Sequence, residues 1–187
     1  VNSGSDATTD ELEVDLTAPV VTVTSLATND ETPALGGSVD DTAATISVSV
    51  DDQTVLATNN GDGTWSLADG SLDALGEGTF DVWVTATDIA GNSGSDTSTA
   101  ELIIDMTAPV VTINSLTTND ETPALGGSVD DTAATVEVSV DGQTVTATNN
   151  GDGTWSLADD TLTTLAEGTF DVSVTATDIA DNSGSDA

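Results

Sequence analysis

Apolar and polar residues alternate along most of this chain. Val20–Leu26, Thr32–Val39, Thr45–Val50, Thr54–Thr58, Thr64–Leu67, Thr79–Thr87 and Thr97–Ile104 each read with a period of two, separated by clusters of Gly, Asn and Asp. No stretch repeats its apolar residues at helical spacing. The alternation predicts seven short antiparallel strands whose inward positions include Val21, Val39, Ile46, Val48, Val55, Ala57, Trp65, Leu67, Phe80, Val84, Ala86, Leu102 and Ile104, with Trp83 facing outward.

The pattern then starts again. Thr17–Asp96 aligns with Thr107–Asp186 at an offset of 90, and 66 of the 80 positions are identical. That period is too long for a solenoid repeat and fits a whole small domain. Substitutions between copies obey the predicted faces: Val23 becomes Ile113 and Ile46 becomes Val136 inside, whereas outward Trp83 becomes Ser173. Seven strands in about 90 residues point to an immunoglobulin-like β-sandwich. The expected organisation is all-β, tandem sandwiches of about seven strands each in an extended rod. Residues 1–15 are read as the last strand and linker of a preceding copy, 16–105 as the first repeat, and 106–187 as a second repeat lacking its final strand. The offset carries backwards too, since "ELEVD" at Glu11–Asp15 matches "ELIID" at Glu101–Asp105. The chain therefore reads as a piece of a longer array, and two molecules are expected to exchange strands head to tail.

Charge narrows the function. The 187 residues hold 34 Asp and Glu and no Lys, Arg or His, a formal charge of −34. Such a charge favours disorder, but 36% hydrophobic content in alternating Val-rich runs favours a packed core. The sign excludes nucleic acid as a partner and disfavours anionic membranes. No apolar run approaches the roughly 20 residues of a membrane helix, so no membrane insertion is expected. The start, "VNSGSDATTD", has neither the basic nor the apolar region of a signal peptide. With no Cys and no His, disulfides, zinc–thiolate sites and His-based triads are absent.

No acid in this chain can form an intramolecular salt bridge. Strand reversal sends loops alternately to the two ends of a sandwich. One end carries Val39–Ala44 and Asp88–Asp96; the other carries Ala27–Glu31, Leu75–Gly78 and the linker. Stacked repeats then bring Asn29, Asp30, Glu31, Glu77 and Asp105 against Asp130, Asp131 and Asp178, and Asp15, Asp40, Asp41 and Asp88 are the first repeat's versions. Like charges a few ångströms apart repel by about 1 kcal/mol per pair even in bulk water. A cation is expected there, and oxygen-only ligands on adaptable loops suit Ca2+ better than Mg2+. The "DIAGNSGSD" loop is a second expected ion site through Asp88, Asn92 and Asp96. Asp51, Asp62, Asp69 and Asp81 are read as turn or surface residues.

Three motifs carry a family resemblance over essentially the whole chain: "VTATDIAGN" closing a strand, the linker D-x-TAPV at Asp15–Val20 and Asp105–Val110, and "GDGTWSL". They resemble the bacterial immunoglobulin-like extender repeats of giant calcium-dependent RTX adhesins, which Gram-negative bacteria export by type I secretion and which include biofilm and ice-binding adhesins. The resemblance implies a non-catalytic structural extender at the extracellular surface of a Gram-negative bacterium. It also implies Ca2+ at linkers through Asp15, Asp88, Asp105 and Asp178, with neighbouring repeats of the same chain as partners. The sequence departs from the pattern where Asp181 stands in place of Gly91. Rival readings are an acidic spacer of a halophile with no specific ion, and a carbohydrate- or ice-binding module built on Trp83. A carboxylate enzyme using Asp40 and Asp41 lacks an aromatic cleft beside that pair.

Overall fold

The computed structural model describes residues 12–187, all strands, turns and loops with no helix among them. The earlier part of the expected N-terminal strand lies outside the described residues. In chain order the first strands are β1 (Leu26–Thr28), β2 (Leu35–Ser38), β3 (Thr45–Val50), β4 (Gln53–Asn59), β5 (Thr64–Leu67), β6 (Gly78–Phe80), β7 (Trp83–Thr87), β8 (Ser93–Ser95) and β9 (Leu102–Ile104). The second set is β10 (Val111–Ile113), β11 (Leu125–Val129), β12 (Thr135–Val140), β13 (Gln143–Asn149), β14 (Thr154–Leu157), β15 (Val172–Thr177) and β16 (Ser183–Asp186). Two compact units result: of the described residues, 12–26, 32–75 and 79–102 form the first, and 27–31, 76–78 and 103–187 form the second.

Each unit is a sandwich whose layers are joined by one bent strand. In the first unit the strand order is β2-β5-β4-β3-β7-β8. The early part of β4 pairs with β3, with Val48 opposite Val55, and its end pairs with β5 through Thr58–Ser66 and Asn59–Trp65. Strand β13 repeats the manoeuvre in the second unit. Antiparallel pairing of β3 with β7 sets Ile46 against Ala86 and Val48 against Val84, and all four are buried. A further three-stranded sheet has the order β1-β9-β6.

Trp65 and Trp155 are core residues, each 1% exposed, as the alternation requires. A buried indole needs a partner for its N–H. Trp65 Nε1 donates to the Thr22 carbonyl at 2.8 Å, and Trp155 Nε1 donates to that of Thr112 at 2.8 Å. The approach depends on the "GGS" of β2 and β11. A Cβ on Gly37 would collide with the Thr22 carbonyl and crowd the indole nitrogen, and Gly127 stands in the same relation to Thr112 and Trp155.

Several expected elements differ. Thr79–Thr87 is broken at Asp81–Val82 into β6 and β7; Asp81 is exposed, as expected, and its Oδ1 accepts the Ala100 N–H at 2.8 Å. Val20–Leu26 contributes only an isolated bridge, Val21 to Val39, before β1. Thr97–Ile104 shrinks to β9, and β8 forms inside the supposed loop Asp88–Asp96. Val55, Ala57 and Phe80 are half-buried, not core. Leu72 and Leu75, which lie in no alternating run, are buried at 4% and 1% exposure because their loop folds over the sandwich. Glu101 is also buried; its Oε2 accepts the Val82 N–H at 2.9 Å while Oε1 has no partner.

Gly127→Ala forces a methyl into a carbonyl, so it should destabilise the second unit by about 1–3 kcal/mol. Calorimetry should show one transition moving down while the other stays; an unchanged thermogram would refute the tight-approach account.

Candidate functional site

The D-x-T-A-P segment is shaped by its own aspartate. Asp105 Oδ1 accepts the Thr107 N–H at 2.9 Å, a turn closed by a side chain in place of a carbonyl. The following Pro109 is buried against β16, where Gly184 leaves no space for a Cβ beside the Pro109 carbonyl. Asp130 then takes the part of a strand partner: its Oδ1 accepts the Val110 N–H at 2.7 Å, and its own N–H donates to the Val110 carbonyl at 3.1 Å. Asp131 Oδ1 accepts from Ala133 at 2.8 Å, and Asn149 holds that turn through the Asp131 and Ala134 carbonyls, both at 2.9 Å.

Asp178 closes the β15–β16 hairpin. Its Oδ1 accepts the N–H groups of Ala180 (2.8 Å) and Asn182 (2.9 Å), and its Oδ2 accepts the Asn182 side-chain amide at 2.9 Å. The same amide donates to the Asp105 carbonyl at 2.8 Å, so one asparagine ties hairpin to linker. These bonds assemble a recess of about 290 Å³ lined by Asp105, Thr107, Ala108, Pro109, Asp130, Asp131 and Asp178.

Four of the sequence-predicted acids therefore share one cavity. Each is anchored through a backbone N–H, and among the described residues no donor reaches the second oxygen of Asp105, Asp130 or Asp131. The donor set fits a hard divalent cation by chemistry, since it offers carboxylate and carbonyl oxygens and no nitrogen or sulfur ligand. It is not a finished cage. Among the described residues, no three acidic side chains are grouped so as to hold one metal ion. A cation would draw on at most two carboxylates, with carbonyls and water completing its shell.

The first unit repeats these contacts. Asp15 accepts from Thr17 (2.9 Å), Asp40 from Val20 (2.8 Å) and Asp41 from Ala43 (2.8 Å). Asn92 Nδ2 reaches the Asp15 carbonyl at 3.1 Å and Asp88 Oδ2 at 2.8 Å. The Asn92 amide, followed by backbone N–H groups of the turn, holds the Asp88 carboxyl below the usual carboxylate range. In the Asp88–Asp96 loop both of these carboxylates are held by protein donors. Asn92 serves as a donor, and Asp96 turns away to accept the N–H of Val23 at 2.7 Å and of Ser98 at 3.0 Å.

The remaining predicted residues lie outside the recess lining. Asn29 donates its backbone N–H to the Ala180 carbonyl at 3.1 Å, Asp30 donates its N–H to Thr28 Oγ1 at 3.1 Å, and Glu31 is exposed. Glu77 Oε2 accepts the Thr107 hydroxyl at 3.1 Å, touching the lining from outside. The sequence reading took Asn92 as an oxygen ligand and did not name Asn182; the signal for their bridging amides was their fixed place four residues after Asp88 and Asp178. Elsewhere, Asp159 is pushed up, chiefly by a hydrogen bond to the Asp120 carboxyl, while the Thr122 N–H pulls Asp120 down.

Removal of the bridging amide has a signed consequence. Asp88 titrates lower in the folded chain than in the unfolded one, so its contribution is full above the unfolded value of about 3.9 and fades as pH falls through the folded value. In Asn92→Ala the Asp88 carboxyl midpoint, followed by carbon NMR, should rise toward that ordinary value. The stability gap from the parent should narrow below about pH 4; an unmoved midpoint would show that the amide is not the cause.

Comparison with known proteins fits this architecture. The pattern of the bacterial Ig-like domain family matches residues 7–106 and 112–187. No match was found among curated proteins. Among solved structures, the fibronectin(III)-like modules of Clostridium thermocellum CbhA share the fold at 14% identity and a TM-score of 0.55, over 89% of this chain and 90% of theirs. A tetra-tandem repeat from the extending region of a large adhesion protein aligns at 28% identity and a TM-score of 0.39, over 90% of this chain and 47% of that one. A Ca2+-stabilized adhesin with which an Antarctic bacterium reaches out and binds ice aligns at 27% identity and 0.43, over 93% and 48%. This chain spans about half the length of those two adhesin structures. With two sandwiches of one topology and family matches over both repeats, the chain belongs to the bacterial Ig-like domain family.

Proposed function

We propose that this chain is a non-catalytic spacer of a large adhesin on the extracellular surface of a Gram-negative bacterium, with Ca2+ bound at the linker recesses stiffening successive repeats so that a distal domain is held away from the cell. The observation that carries the calcium part is the recess lined by Asp105, Asp130, Asp131 and Asp178 in a chain that has no Lys, Arg or His. Near-identity of the copies supports the spacer part, because a recognition face is needed once whereas reach is gained by repetition. Trp83 is 57% exposed and its counterpart is Ser173, so an aromatic ligand platform in one repeat is not kept in the next. Asp40 and Asp41 are held in turn and strand-end contacts, which leaves them poorly placed for acid–base work.

A bound divalent ion supplies positive charge between carboxylates that otherwise repel. The chain's own part is to fix those carboxylates: Asp105 by its turn, Asp130 by its strand-like pairing, Asp178 by the Asn182 amide. With few carboxylates per ion, affinity belongs to the weak extracellular class, on the order of 10⁻⁴ to 10⁻³ M. At a tenfold excess over Kd one such site adds roughly 1.4 kcal/mol. For domains of this size that is about 5–10 °C.

Calorimetry in EDTA, Mg2+ and Ca2+ should therefore give the highest midpoints in Ca2+, and Asp105→Asn with Asp131→Asn should remove most of the second unit's increment. Identical midpoints in the three buffers would leave the halophile-type acidic spacer as the better account.

A further inference from the structure

Three of the substitutions between the repeats fall on one outer sheet face, and all three change it in the same direction. Strand β3 is flanked by β4 and β7; Ser47 lies opposite Leu56 and Thr85, and Ser49 lies opposite Thr54 and Trp83. Alternation turns these residues outward, away from the buried Ile46, Val48 and Val84. Leu56 is 73% and Trp83 57% exposed. Every other outward position of β3, β4, β7 and β8 is Ser or Thr. The register is the same in the second unit, but Glu137 stands for Ser47, Thr146 for Leu56 and Ser173 for Trp83. The first unit therefore presents an acid-free face with two apolar side chains, where the second presents hydroxyls and a carboxylate.

Two strand spacings of about 4.8 Å and two residues of rise, about 3.4 Å each, set Leu56 and Trp83 on the order of 12 Å apart along this face, with Ser47 and Ser49 between them. The hydroxyls are ordered. Ser49 Oγ and Thr54 Oγ1 are hydrogen-bonded to each other at 2.8 Å, so the pair keeps one O–H and spare lone pairs for an outside partner. Charge selects that partner. In a chain of −34 with no base, an acid on a covered face would lose its hydration with no cation to replace it. A face without acids suits an uncharged partner: an anion is repelled by the rest of the chain, a cation is drawn to the acids elsewhere, and a second copy brings its own −34. We propose that this strip of the first unit binds a neutral polysaccharide. Trp83 stacks on the apolar face of one sugar ring, Leu56 packs against another, and the Ser and Thr hydroxyls exchange hydrogen bonds with those of the sugar. A rigid aromatic body combined with a few polar groups is the usual composition of such a surface. The site occurs once in the two repeats and rests neither on the spacer reading nor on Ca2+.

Trp65 and Trp155 are buried, so Trp83 alone among the three tryptophans reports on the surface. The 187-residue chain is titrated in EDTA with laminarin, cellohexaose, dextran and soluble starch, with tryptophan emission and acrylamide quenching followed and the affinity taken from retardation in native gels. The expected result is that at least one of these glucans shifts the emission to the blue, shields Trp83 from acrylamide and slows the chain. Ser47→Glu with Leu56→Thr and Trp83→Ser copies the second unit's face onto the first. Those residues already stand in the same strands of a nearly identical sandwich, so the variant should keep its fold and bind at least tenfold more weakly. Adding Glu137→Ser, Thr146→Leu and Ser173→Trp to that variant should restore binding on the second unit. A parent chain that responds to none of the four glucans would overturn the proposal, as would binding that the triple variant retains. Concentration-dependent sedimentation of the parent that the triple variant abolishes would overturn it too, because the occupant of the face would then be a second copy.

Discussion

A chain with 34 carboxylates and no lysine, arginine or histidine can satisfy its negative groups only with dipoles, water or ions from outside. The dipole it uses most is the backbone N–H two residues on. Asp15, Asp41, Asp62, Asp96, Asp105, Asp120, Asp131, Asp152 and Asp178 each accept such a bond at 2.8–3.1 Å. This contact turns the chain at strand ends, which is why the short strands stop where they do. It also fixes the carboxylate. A side chain with one oxygen tied to its own turn holds the other in a set direction, and this is how the linker acids come to share a recess.

The local turns would not make a site without the close approaches between segments. Trp65 and Trp155 draw the carbonyls of Thr22 and Thr112 into the sandwich edge, and Gly37 and Gly127 leave the space for it. Downstream, Gly94 and Gly184 let the linker prolines lie against the last hairpin strand. The linker is thereby held at both sides of its D-x-T turn. Asn92 and Asn182 complete the clamp with a single amide that serves a carboxylate and a carbonyl at once.

The two repeats also set like residues in different surroundings. Sequence at the core positions is almost unchanged, yet Leu125, Leu165 and Val172 lose the cover that Leu35, Leu75 and Val82 keep. Burial at these places is a property of the neighbouring segment rather than of the residue itself. The buried Glu101 makes the same point from the polar side: its place in the sequence, at the head of an alternating run, gives no sign that its carboxylate faces a backbone N–H in the interior.

The period-two alternation was enough to determine an all-β sandwich, its repeat, and a core built on Ile46, Val48, Trp65, Val84 and their copies, because a half-buried strand writes its two faces directly into the order of residues. The same order identified Asp105, Asp130, Asp131 and Asp178 as candidates for one site. Only the tertiary structure decided that Asp88 and Asp96 serve separate backbone partners, that Asn92 and Asn182 are donors, that Thr79–Thr87 breaks at Asp81, and that Leu72 and Leu75 are core. Those outcomes depend on contacts between residues far apart in the chain, such as Val23 with Asp96 or Ala100 with Asp81, and no local period records them.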